Sequence, residues 1–258
     1  ILENTDFADA AFDAAAPYSP EKVSEMCDIA YEKVIYFFEM FARSASAISF
    51  YSMGINQSVS GVDNTNAIIN CHLATGKIGK PGSGPFSITG QPNAMGGREV
   101  GGLDNMLAEH MDIENKQHNA LVERFWLAEN MVKTNGLKAV DMFEKLHKGD
   151  IKFIWIMATN PVVSMPNRQK IEEALLACDT VVVSDTVSQN DTLKFANVVL
   201  PATGWSEKDG TVTNSERRIS RQRAIFAPIG QARHDWQIIC DVAAKMGYQK
   251  SFEYSNVS

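Results

Sequence analysis

At 258 residues, 45% hydrophobic and 21% charged, the chain can bury a sizeable core in one large or two small domains, and disorder is excluded. A formal net charge of -7 with no basic run argues against a nucleic-acid surface. The longest apolar stretch, around Val34 to Phe41, is interrupted by Glu39 and is too short to span a bilayer, and no signal-peptide pattern opens the sequence, so no membrane partner is expected.

Residues 1–18 are rich in Ala and Asp without a sustained period and read as a loop or arm that carries no chemistry. Ser19-Pro20-Glu21 is a helix start, with Ser as N-cap and Pro at the first helical position. Val23, Met26, Cys27, Ala30, Val34, Phe37, Phe38 and Phe41 follow at helical spacing, predicting one core-packing helix. Residues 47–53 read as a strand that ends at Gly54-Ile55-Asn56-Gln57, followed by a helix over 64–74. Ligands gather at the carboxyl end of the strand in such a β-loop-α unit, where Met53 and Gln57 sit. From the residues alone, a core Met and a turn amide are the better readings of that pair.

Residues 76–102 are rich in glycine yet carry Lys77, Lys80, Gln91, Asn93 and Arg98, while Pro81, Pro85 and Pro92 stiffen the path. The stretch reads as neither helix nor strand but as a shaped loop forming a cofactor or substrate wall. Amphipathic helices are expected from 99 towards 111, over 118–134 and over 137–148, with Asn135-Gly136 as a stop. His110, His118 and His147 have no acid or nucleophile at a telling spacing and take solvated or capping roles. The four cysteines, Cys27, Cys71, Cys178 and Cys240, are widely spaced without a Cys-x-x-Cys, so no zinc or iron–sulfur site is written here and buried free thiols are expected.

A second α/β unit begins at 151–157, an apolar run of the kind buried on both faces of a parallel sheet, which ends in Ala158-Thr159-Asn160-Pro161. A helix over 168–178 precedes a β-branched strand over 180–183 that ends in Ser184-Asp185, and a strand over 198–201 ends in Ala202-Thr203-Gly204-Trp205. Polar strand ends repeated in this way converge on one crevice in a doubly wound sheet. Asn160, Ser184 and Asp185 are then natural dinucleotide contacts. An Asp carboxylate can accept two parallel hydrogen bonds from the N1–H and exocyclic amine of guanine, a donor pair that adenine lacks; a turn or N-cap acid is the competing reading.

The run Gly84-Pro85-Phe86-Ser87-Ile88-Thr89-Gly90-Gln91-Pro92-Asn93-Ala94-Met95-Gly96-Gly97-Arg98-Glu99-Val100-Gly101-Gly102 resembles the active-site loop of molybdenum nitrate reductases, especially the assimilatory type. Those enzymes belong to the family that holds molybdenum between two molybdopterin guanine dinucleotides. The similarity runs from about Tyr51 through Tyr248, and the first fifty residues match weakly. The resemblance implies that Met53 and Gln57, in a Met-Gly-x-Asn-Gln motif, face a pterin, and that Asn160, Ser184 and Asp185 recognise guanosine. It also implies cofactor contacts at Lys208, in its Glu-Lys-x-Gly context, and at Asp235, which as it stands reads as the N-cap of a helix over 236–246. A cation suits a pyrophosphate at Lys208, whereas Arg217 and Arg218 beside Glu216 read as a structural ion-pair network.

For the reaction, the resemblance implies nitrate reduction to nitrite. Arg98 provides a guanidinium fork matched to a planar monoanion, and Gln91 provides a neutral donor. The expected fold is α/β with Rossmann-like parallel-sheet units dividing near Gly149: residues 1–149 hold the end of one cofactor-binding domain, the active-site loop and connecting helices, and 150–258 form a guanine-dinucleotide-binding domain. A flavoprotein or ferredoxin-type electron donor and a cytoplasmic location follow from the same resemblance. The chain starts at Ile1 and enters mid-pattern, as a piece of a longer protein would. The family's cluster cysteines and molybdenum ligand precede the matched region, so the piece alone is expected to be inactive and the iron–sulfur cluster to lie in the full-length protein. The alternatives are a formate dehydrogenase, which carries Arg where this chain has Thr89, a periplasmic nitrate reductase, which differs around 95–97, and a non-catalytic dinucleotide-binding module.

Overall fold

A computed structural model describes residues 5–257 and separates into two compact units, Ile1–Gln91 and Pro92–Ser258. The first contains α1 (Ala8–Ala15), α2 (Pro20–Cys27), α3 (Tyr31–Arg43), β1 (Ile48–Tyr51), α4 (Met53–Asn56), α5 (Gly61–Ala74) and β2 (Gly84–Ser87). α1 forms where a loop is expected, because an Ala-rich segment with Asp9 in its first turn needs no apolar period to favour a helix; residues 1–4 lie outside the described residues. The helix start at Ser19 is as expected, with its Oγ accepting from the Lys22 N–H at 3.3 Å. The helix does not run through to Phe41, however. Asp28 adopts a left-handed conformation (φ 53°) and divides it into α2 and α3, and of the expected core set only Val34 is buried.

β1 and β2 pair in parallel, Ile48 opposite Gly84 through Tyr51 opposite Ser87, with the Phe50 and Phe86 rings edge to face at 5.6 Å. The glycine-rich stretch therefore contains a strand, and it also contains the helix α6 described below, contrary to the loop expected throughout. α5 packs tightly on the end of α4: a Cβ on Gly61 would come within 2.3 Å of the Asn56 carbonyl oxygen. His72, fully buried on α5, contacts Ser49 Oγ at 2.8 Å and the Lys77 carbonyl at 2.9 Å. Lys77 is itself buried, donates Nζ to the Ala42 carbonyl at 3.1 Å and lies over the Phe41 ring, so this loop lysine is structural.

The second unit contains α6 (Ala94–Glu99), α7 (Lys116–Trp126), α8 (Ala139–His147), β3 (Phe153–Met157), α9 (Pro161–Ser164), α10 (Arg168–Ala177), β4 (Thr180–Asp185), β5 (Val198–Pro201), β6 (Gly210–Thr213), β7 (Ile219–Gln222) and α11 (Asp235–Lys245). The helix expected over 99–111 is replaced by α6 and a turn, because Gly101 adopts φ 83° with the Leu107 backbone packed against it. α7 ends early, at Leu127 in the left-handed region.

β3, β4 and β5 form a parallel sheet in that order, Met157 opposite Ser184 and Asp185 opposite Pro201. A bridge from Ala202 to Arg233 extends it at the β5 side, and β6 and β7 form a separate antiparallel pair. The core joins Ile154 and Ile156 of β3 and Val181 and Val183 of β4 to Ile171, Ala174 and Leu175 of α10 and to Phe143 and Leu146 of α8. The boundary expected near Gly149 thus falls inside the second unit, just after a helix whose apolar face belongs to this core. The α/β class with parallel sheets is as expected. No helix among the described residues is long and apolar enough to cross a membrane.

Leu146 is fully buried where α8 meets this core. Leu146→Ala is expected to cost about 2–5 kcal/mol in urea unfolding; a loss below about 1 kcal/mol would show that α8 is not part of the core.

Candidate functional site

At the carboxyl end of β1, Ser52 Oγ donates to the Ile88 carbonyl at 2.5 Å and the Ile88 N–H donates to the Tyr51 carbonyl at 2.7 Å, holding the two strand ends together. Met53 opens α4 there, its terminal methyl 3.7 Å from where a Cβ on Gly90 would lie, so the glycine leaves room beside the thioether. Gln57 caps α4 through its backbone N–H to the Met53 carbonyl at 3.0 Å. The Gln57 and Gln91 side chains are exposed and make no hydrogen bond among the described residues.

In the second unit, α6 is pinned to the β6–β7 hairpin on both sides of Arg98. Asn93 Oδ1 accepts from the Thr213 N–H at 2.9 Å, and Glu99 pairs with Arg217 at 3.1 Å. The Arg98 side chain is exposed and has no hydrogen bond or ion pair among the described residues.

The other expected contacts lie along the carboxyl edge of β3–β5. Asn160 follows β3 after Ala158, which holds a left-handed φ of 54°. Its Oδ1 accepts from the Thr192 N–H at 3.2 Å and the Thr192 hydroxyl at 2.7 Å. Asp185 ends β4, with Oδ1 accepting from the Thr186 and Val187 N–H groups at 2.6 and 3.3 Å and Oδ2 from Asn190 Nδ2 at 2.8 Å. Ser184 points into the protein instead: it is 2% exposed, and its Oγ accepts from Trp155 Nε1 at 2.9 Å. Lys208 and Asp235, read separately in the sequence, form an ion pair with each other at 3.0 Å. Asp235 is the first residue of α11, preceded by His234 as N-cap, so the N-cap reading of Asp235 does not hold.

Sequence reasoning passed over the partners of these residues. Thr203 is fully buried and contacts His234 Nδ1 at 2.9 Å. Asp191, between Asn190 and Thr192, is held below the usual carboxylate range by the Lys194 hydrogen bond and charge and by Arg168. A run of Asn, Asp and Thr after a strand end was the available signal, since these types bond neighbouring backbone and side chains. Of the expected buried thiols, Cys27 and Cys71 are exposed. His118 Nδ1 accepts from the Asp112 N–H at 3.2 Å, a local bond to the turn before α7. No cluster of His, Cys, Asp and Glu suited to a metal occurs among the described residues. A cavity of about 210 Å³ between α8 and α10, lined by Phe143, Glu144, Met165 and Lys170 among others, includes none of the edge residues.

The edge has unspent donors. Asn160 Nδ2 is unpartnered among the described residues, and Trp236 Nε1, next to Asp235, is buried without an acceptor. Lys208 Nζ, held by Asp235 at 3.0 Å, has donors beyond that pair, and donors of this kind suit a group rich in acceptors. Each member of the Lys208–Asp235 pair is about a third exposed, so the pair should stabilise the fold by no more than about 1 kcal/mol. Asp235→Asn is therefore expected to leave the urea midpoint nearly unchanged, and a loss above about 2 kcal/mol would show the pair to be a fold-determining contact.

A family model described as molybdopterin oxidoreductase matches residues 8–245. A nitrate reductase of Klebsiella oxytoca is 50% identical over 253 residues, covering 97% of this chain and 29% of that protein. The assimilatory nitrate reductase catalytic subunit of Bacillus subtilis (strain 168) is 39% identical over 217 residues, covering 84% of this chain and 30% of that protein. Acetylene hydratase from Pelobacter acetylenicus shares the fold, with a TM-score of 0.63 at 16% identity over 99% of this chain and 38% of that one. The chain spans less than a third of the length of these two curated relatives, 29% and 30%. With the family model matched from residue 8 to residue 245, the chain belongs to the molybdopterin oxidoreductase family.

Proposed function

We propose that the protein containing this chain reduces nitrate to nitrite for nitrate assimilation in the cytoplasm, using molybdenum carried by molybdopterin guanine dinucleotide. The observation that carries the substrate class is Arg98, an exposed guanidinium without a partner among the described residues, on a helix pinned by Asn93 and Glu99. Nitrate is a planar monoanion, and the forked donors of a guanidinium match two of its oxygens. We assign Gln91 a neutral-donor role toward the same substrate. Molybdenum, when bound, supplies the two-electron step in which nitrate gives up one oxygen. The residues named here position substrate and cofactor and do no proton chemistry.

Met53 and Gln57 are assigned to the pterin, Asn160 and Asp185 to guanosine with Ser184 beneath them, Lys208 to the phosphate-bearing part of the cofactor, and Asp235, which pairs with Lys208, to a further cofactor contact. The similarity to nitrate reductases supports this reading. Thr89, where formate dehydrogenases carry Arg, and the sequence around 95–97 favour an assimilatory nitrate reductase over the alternatives. The iron–sulfur cluster and the contact with a flavoprotein or ferredoxin-type donor are assigned to parts of the protein outside this chain.

Arg98→Ala in the full-length enzyme should lower kcat/KM for nitrate by about 1.5–3 kcal/mol, the loss of one charged hydrogen-bonding partner, with molybdenum content unchanged. Arg98→Lys should retain more activity, because it keeps the charge and loses only the fork. Normal turnover in the alanine variant would remove the substrate assignment, and loss of molybdenum would make Arg98 a cofactor residue. For the nucleotide, Asp185→Asn should weaken retention of the guanine dinucleotide by about 1.5–3 kcal/mol, because an amide cannot accept both base hydrogen bonds. Normal cofactor content in that variant would leave Asp185 a turn residue.

A further inference from the structure

We propose that the segment Asn190-Asp191-Thr192 is a polarity clamp: it fixes Asn160 as a donor and holds the acceptor Asp185 in place beside it, and so sets the base preference of the carboxyl edge. The inference rests on the nucleotide assignment above and deepens it.

Asn160 faces the Thr192 backbone N–H at 3.2 Å and the Thr192 hydroxyl at 2.7 Å. A backbone amide can only donate, so the atom facing it has to be the side-chain oxygen; reversing the amide would set two donors against each other. Thr192 is fully buried, and its hydroxyl accepts from the Val162 N–H at 3.3 Å; because the atom it faces is the proton-free Asn160 oxygen, the hydroxyl gives that oxygen its single proton. Asn160 Nδ2 is left with both protons to give.

Asn190 is oriented by the same logic. Its Oδ1 accepts from the Leu193 N–H at 2.7 Å, which turns Nδ2 onto Asp185 Oδ2 at 2.8 Å. With the Thr186 and Val187 N–H groups on Oδ1 and Asn190 on Oδ2, the Asp185 carboxylate is fixed in place, and Oδ2 keeps a lone pair for a further donor while Oδ1 can share only its longer, 3.3 Å bond. Asp191 anchors the segment through Arg168 of α10 at 3.3 Å and Lys194 at 2.8 Å.

A fixed donor and a fixed acceptor complement the guanine edge, which offers the O6 acceptor beside the N1–H and exocyclic amine donors. Adenine presents an amine donor and a ring-nitrogen acceptor in the opposite arrangement. An unclamped Asn could reverse its amide and serve either base. Thr192 and Asn190 are therefore positioning residues for base selectivity.

The test measures GDP and ADP binding by calorimetry to the cofactor-free full-length protein, with thermal midpoints for each variant. Wild type should prefer GDP by at least about tenfold, the equivalent of one lost hydrogen bond. Thr192→Val keeps the backbone N–H but removes the shorter of the two bonds that hold the Asn160 oxygen, and should reduce that preference to about threefold or less with ADP affinity unchanged; Thr192→Ser, which keeps the hydroxyl, should restore it. A Thr192→Val protein that keeps the wild-type ratio, or that weakens both nucleotides alike with a lower midpoint, overturns the clamp and makes Thr192 a fold residue only. If Thr192→Val does not fold, Asn190→Ala decides by the same ratio. Absence of GDP preference in wild type would instead bring down the nucleotide assignment itself.

Discussion

Parallel pairing of β3, β4 and β5 is the constraint on which the second unit depends, because strands that run in one direction must all end at the same edge. Ile154, Ile156, Val181 and Val183 fill the interior, and polar groups placed among them would carry a large desolvation cost. The polar residues therefore collect beyond the strand ends, where Asn160, Asp185, Thr203 and the turn into α11 lie in sequence along one border. Once there they satisfy one another. Thr192 bonds Asn160, Asn190 bonds Asp185, and Lys208 pairs with Asp235. What remains unspent among the described residues is what the edge can offer a ligand: the Asn160 amide protons and a lone pair on Asp185.

The elements that were legible in the sequence are those whose burial leaves a continuous apolar signature. The runs at 153–157 and 180–185 and the helix after Asn167 belong to this class, as does the start at Ser19-Pro20, a local capping signal. The misread elements lack such a signature. β2 is formed by glycine, proline, phenylalanine and serine, and it becomes a strand only through pairing with β1 some 36 residues earlier in the chain. The β6–β7 hairpin is rich in threonine, serine and arginine and pairs across a turn with no glycine at its centre, so neither periodicity nor turn chemistry announces it. The division of α2 from α3 was hidden because the apolar spacing continues across Asp28.

The candidate site was legible in position and not in connection. Strand-end logic places Asn160 and Asp185 correctly at the edge, but a strand buried on both faces gives no alternation from which the inward turn of Ser184 could be read. Lys208 and Asp235 meet across 27 residues, and no local rule links them. Lys77 looked like a loop cation in a glycine-rich stretch. Its burial against Phe41 and the Ala42 carbonyl, with His72 joined to Ser49 alongside, makes it a brace for the strand that delivers Met53.

The central claim is that the carboxyl edge of β3–β5 holds the guanine end of the cofactor. A crystal structure of the cofactor-loaded protein tests it most directly. The account predicts the guanine with its N1–H and exocyclic amine within hydrogen-bond distance of the Asp185 carboxylate, and the Asn160 Nδ2 donating to the nucleotide. A guanine bound elsewhere, with Asp185 engaged only by Thr186, Val187 and Asn190, would contradict it.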